Sequence, residues 1–117
     1  MSAGSGAPER WSAQTRTGDV VRLEIPADAH RDRSFEIFCR LVTAAPSARR
    51  DATHSLRLRV DGALEWARTV PVQADGADSL DLRLRRTVPA GRALRLVAHG
   101  EWRGASRVSL SISADEE

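Results

Sequence analysis

From Val20 to Ile25 the chain alternates: Val21, Leu23 and Ile25 fall on one side, Arg22 and Glu24 on the other. The same period of two returns along the chain. "SFEIFCRLVT" sets Phe35, Ile37, Cys39 and Leu41 against Glu36, Phe38, Arg40 and Val42, a second side apolar enough to predict cover on both faces. "SLRLRV" aligns Leu56, Leu58 and Val60. "SLDLRLRRTV" aligns Leu80, Leu82, Leu84 and Val88 against Asp81, Arg83, Arg85 and Thr87. "RALRLVAHGEW" turns Leu94, Leu96 and Ala98 inward and His99 outward. "SRVSLSIS" sets Val108, Leu110 and Ile112 against Arg107, Ser109 and Ser111. Alternation over five or more residues marks a half-buried strand, because successive side chains leave a strand on opposite faces.

Turn-forming residues separate these runs: Thr17-Gly18-Asp19, Pro26, Pro46, Asp61-Gly62, Asp75-Gly76 and Pro89-Ala90-Gly91. No long segment has helical spacing; only 26–33 and 44–53 have room for a helical turn. About eight strands with one polar and one apolar face predict an all-β fold. The expected form is a single antiparallel β-sandwich of the Ig-like or jelly-roll type. It should span 10–114, preceded by a flexible arm over 1–9 and followed by an acidic tail, 115–117.

"LRLRVDGALEW" (56–66) reads as a hairpin. A two-residue Asp61-Gly62 loop with an unbroken ladder puts the apolar residues of its two strands on opposite faces. A three-residue loop, 60–62, pairs Leu58 with Leu64, Leu56 with Trp66 and Arg57 with Glu65, so this register is predicted.

Composition narrows the picture. The chain's 117 residues suit one domain. No apolar run approaches the ~18 residues of a membrane span, and the start has no basic-then-apolar leader pattern. The single Cys39 favours a reducing, cytoplasmic setting. All 18 basic residues are arginine, which points to a GC-rich bacterial genome rather than to selection for a ligand. Net charge is only +2, but residues 49–107 hold twelve arginines and seven acids.

Candidate chemistry is sparse. The three histidines are far apart and none has zinc-ligand spacing. Asp75, Asp78 and Asp81 do not match a calcium-loop spacing, and no nucleophile motif or phosphate-binding glycine loop is present. No catalytic, cofactor or metal residue is therefore assigned, and a non-enzymatic module that binds a protein, as adaptor or assembly subunit, is expected. Two surfaces are candidates. Arg57, Arg59, Arg83, Arg85 and Arg95 form a cationic face if their strands are neighbours, suited to an acidic partner. Strand 106–113, with Arg107, Ser109 and Ser111 facing outward, is an exposed template for self-association if it lies at an edge. The alternatives are carbohydrate binding on an exposed Trp11 or Trp102, and an anion or nucleic-acid binder on the arginine face. Nucleic acid is disfavoured, because no aromatic is interleaved with the arginines for base stacking.

Overall fold

The computed structural model describes residues 7–46, 51–73 and 76–117. Most of the expected arm, part of 44–53 and Asp75 lie outside these residues. Eight strands follow one another: β1 (Arg10–Thr15), β2 (Val20–Ile25), β3 (Arg33–Ala45), β4 (Thr53–Val60), β5 (Ala63–Pro71), β6 (Gly76–Val88), β7 (Leu94–Arg103) and β8 (Ser106–Glu116). They form two four-stranded antiparallel sheets: sheet A in the order β1-β8-β3-β6, sheet B in the order β2-β7-β4-β5. Strand pairs 1·8, 2·7, 3·6 and 4·5 are those of one long hairpin, folded at the β4–β5 turn. Rolling that hairpin adds the pairs 8·3 and 7·4. This is the jelly-roll solution, two Greek keys closed face to face.

The alternation reads out directly as burial. Leu58, Leu82, Leu96 and Leu110 lie in one core between the sheets, with Phe35, Ile37, Leu41 and Ile112. Gly100 of β7 packs closely against Leu41 of the other sheet: a Cβ there would meet Leu41 Cδ1 at 3.0 Å. No helix is present among the described residues, and none is long and apolar enough to cross a membrane.

The hairpin register differs from expectation. Asp61 and Gly62 alone make the turn, with φ of 50° and 88°. Positive φ at both central positions is the type I′ requirement, which Asp-Gly meets. Val60 pairs with Ala63 and Arg59 with Leu64; Leu58 then pairs with Trp66. The correction is that the extra residue sits inside β5, at Glu65, instead of in the loop. This bulge restores Trp66 to the core side after Leu64 has faced out, 51% exposed. Asp61 also anchors the turn: its carboxylate accepts from the Arg95 amide at 3.0 Å, and its own amide donates to the Arg95 carbonyl at 2.8 Å.

A second bulge alters β8. Val42 pairs with Ser109 but Thr43 with Arg107, leaving Val108 unpaired and 45% exposed. Arg107, expected outward, instead turns in over the Trp102 ring, 5.6 Å from its centroid. The acidic end is also strand rather than tail, since β8 runs through Asp115 and Glu116 and pairs with both β1 and β3.

Candidate protein-binding surfaces

Strand order divides the expected arginine face. Arg83 and Arg85 lie on β6 and point out of sheet A. Arg57, Arg59 and Arg95 lie on β4 and β7 and point out of sheet B. The two groups therefore occupy opposite outer surfaces and do not form one patch. Cross-strand acids neutralise sheet A's outer side. Arg83 meets Glu36 at 3.4 Å, Arg85 meets Glu117 at 3.0 Å, Arg40 meets Asp81 through two hydrogen bonds, and Arg10 meets Asp115 at 3.3 Å. Arg40 and Arg83 also flank the outward Phe38, at 5.0 and 4.8 Å from its ring centroid. Pairing with Asp81 raises the Arg40 pKa further.

Sheet B's outer side is less balanced. Arg57 pairs with Glu101, and Arg95 with Glu24 at 3.0 Å. Among the described residues Arg22, Arg59 and Arg103 have no carboxylate partner. His99 lies 3.4 Å from Asp19. A groove of about 650 Å³ opens where the β4–β5 turn meets the β6–β7 loop, lined by Asp61, Gly62, Pro89, Arg92 and Val97 among others.

Strand 106–113 is not an edge along its second half. From Leu110 to Asp115 β8 is paired with both β1 and β3, so the backbone at Ser111 is already paired on both sides, whereas Ser106, Arg107 and Ser109 pair with β3 alone, and Arg107 faces inward. The edges are β1 and β6 in sheet A and β2 and β5 in sheet B. β5 is the most open of them. Only Trp66 and Val70 along its nine residues are even half-buried. Its bulge aims Glu65 across the flank to Arg86 on β6, at 2.6 Å, bridging the two sheets where β5 leaves the core thinly covered.

None of the three tryptophans stands fully exposed. Trp11, Trp66 and Trp102 all pack half-buried against the core, and Trp11 Nε1 donates to Glu9 at 3.0 Å. Cys39 is free and buried in the core, and burial pushes its thiol up to about 12, which makes it inert at neutral pH.

Two polar constellations escape sequence reading, because only the rolled topology assembles them. The first holds the chain's two ends together. Arg31 binds Glu9, Asp28 and Glu116, and the buried Arg33 binds Glu9 at 2.7 Å and the Pro26 carbonyl at 2.8 Å. The Arg31 hydrogen bond lowers the Glu116 pKa. The His30 backbone amide, followed by Arg31, lowers that of Asp28. The second joins the sheets. His54 Nδ1 lies 2.9 Å from Thr43 Oγ1, and its Nε2 lies 4.0 Å from Asp78 Oδ2 without a hydrogen bond. Thr43 and His54 are 0% and 1% exposed, so no substrate reaches this hydroxyl. Asp78 and Asp81 do not converge on a cation: Asp78 turns toward His54, while Asp81 pairs with Arg40 on the outer side.

Comparison with known proteins adds to the fold. No protein-family model and no curated protein matches the chain. Among solved structures, dimeric latent PorU from Porphyromonas gingivalis is similar over 100% of this chain, with a TM-score of 0.53 and 10% sequence identity. The chain spans 14% of that protein's length, and a likeness at this identity speaks for the β-rich fold alone.

Proposed function

We propose that this chain is a non-enzymatic β-sandwich module that binds another protein, as an adaptor or an assembly subunit. The observation that carries this reading is the open edge of β5. Eight of its nine residues pair, all with β4 alone, with Leu64 exposed and Trp66 half-covered. An unpaired edge offers a row of backbone donors and acceptors to a partner strand, while neighbouring side chains set specificity. The role first sought on β8 thus passes to β5. The burial of the Thr43 hydroxyl and His54 supports a non-enzymatic role. The lone free cysteine accords with a cytoplasmic setting.

Selection of a displayed library of extended peptides on the purified domain tests this. Peptides with apolar residues at alternate positions should enrich. They should lose binding to a Leu64→Gln, Ala67→Lys variant, which alters only exposed β5 positions and leaves the fold intact. Failure to enrich any family of peptides, or enrichment indifferent to this variant, overturns the reading.

A further inference from the structure

The two outer surfaces of this sandwich are charged differently. On sheet A each outward arginine of β1, β3 and β6 faces an acid: Arg10, Arg40, Arg83 and Arg85 against Asp115, Asp81, Glu36 and Glu117. On sheet B five outward arginines, Arg22, Arg57, Arg59, Arg95 and Arg103, stand among the described residues against Glu24, Glu101 and Asp19, the last beside His99. The surplus is concentrated. Arg22 pairs across the ladder with Val97, Val97 with Arg59, and Arg59 with Leu64. One row running across all four strands therefore reads arginine, valine, arginine, leucine. Among the described residues neither of its arginines has a carboxylate within 4.0 Å, and Leu64 is the most exposed large apolar residue. Neighbouring strands lie about 4.8 Å apart, so the two arginines leave the sheet about 10 Å from each other, with Val97 between them.

We propose that this row docks an acidic, extended segment of the partner protein. Two carboxylates three residues apart in an extended polyproline-II segment share one face and lie about 9 Å apart, because three residues complete one turn. They reach Arg22 and Arg59 together, with the peptide between them passing over Val97. Planar guanidinium groups suit such carboxylates because they bind them through paired hydrogen bonds. A polyphosphate chain fits less well. It needs a continuous cationic track and aromatic platforms for its bases. Here Glu24 and Glu101 interrupt the positive charge, and no Phe, Tyr or Trp side chain faces out of sheet B. The chain's own acidic end is not the occupant, since Asp115, Glu116 and Glu117 are held by Arg10, Arg31 and Arg85. The proposal rests on the protein-binding reading for the class of partner, but not on strand addition at β5.

Fluorescence anisotropy tests it with three probes: a short labelled peptide centred on Glu-Val-Ala-Glu, the same peptide with both glutamates changed to glutamine, and a single-stranded DNA of similar length. The acidic peptide should bind most tightly, and added salt should weaken it. Arg22→Glu with Arg59→Glu should weaken it by about tenfold or more, and the milder Arg22→Gln, Arg59→Gln pair by less. Arg83→Glu with Arg85→Glu, on sheet A, should leave it unchanged. All these positions are exposed, and unchanged melting curves confirm the fold. Equal binding of the acidic and glutamine peptides, equal loss with the sheet-A pair, or tighter binding of DNA each overturns the proposal. Peptides selected on the β5 edge should still bind the Arg22→Glu, Arg59→Glu variant, so failure here is distinguishable from failure of the β5 reading.

Discussion

Acid should loosen this sandwich through His54 before it reaches the carboxylates. His54 projects from β4 into the space between the sheets, 1% exposed. Thr43 of β3 meets its Nδ1, Asp78 of β6 lies 4.0 Å from its Nε2, and its ladder neighbours are Val70 of β5 and Trp102 of β7. Burial lowers its pKa below the ordinary 6.5, against a weaker opposing pull from Asp78. The unfolded chain takes up this proton near pH 6.5 and the folded one resists it. The neutral imidazole's contribution is therefore fully present above pH 6.5 and is lost as pH falls below that value toward the folded pKa. The limiting slope is one proton, about 1.4 kcal/mol per pH unit. At roughly 4 °C per kcal/mol for a domain of this size, Tm should fall by up to roughly 5 °C per unit. Glu116 and Asp28, whose pKa values are lowered from 4.5 and 3.8, lose their contribution only at lower pH. Calorimetry between about pH 5 and 7.5, on wild type and His54→Gln, isolates the effect. The wild type should show the steeper acid slope, and parallel slopes would refute the argument.

Other consequences follow from packing and topology. Gly100→Ala should destabilise by about 1–3 kcal/mol, because its methyl meets Leu41 at 3.0 Å; a raised Tm would show that Leu41 moves aside freely. Leu58→Ala, Leu96→Ala and Leu110→Ala should each cost about 2–5 kcal/mol in denaturant titration, since all three lie fully inside the core. Ser111→Pro should unfold the monomer by circular dichroism, because this β8 position pairs with Gln14 of β1 and Arg40 of β3. Arg33→Ala should cost about 3–5 kcal/mol by leaving Glu9 without its buried partner, and a loss below ~1 kcal/mol would mean Arg31 holds Glu9 alone.

Strands and core are legible in the sequence because alternation is a local property. Val21, Leu23, Phe35 and Leu82 each face the side that their spacing predicts. Bulges break that legibility. One extra residue at Glu65 shifts the hairpin register, and one at Val108 turns Arg107 from outside to inside, yet neither leaves a composition signal. Surface patches depend on strand order, which alternation does not encode. Arg57 and Arg83 look equivalent along the chain and end on opposite surfaces. Ser111 looks like edge and lies paired between β1 and β3. The Thr43–His54–Asp78 cluster also joins β3, β4 and β6 only once the hairpin has rolled.

The central claim, partner binding along the open edge of β5, is tested most directly by amide hydrogen exchange. Exchange should be followed residue by residue, with and without a peptide selected on the domain. Strand addition predicts slower exchange at the β5 amides between Ala63 and Pro71 that point away from β4, with sheet A unchanged. Unchanged exchange throughout β5, with protection appearing instead around Ser109 or Arg83, contradicts the account.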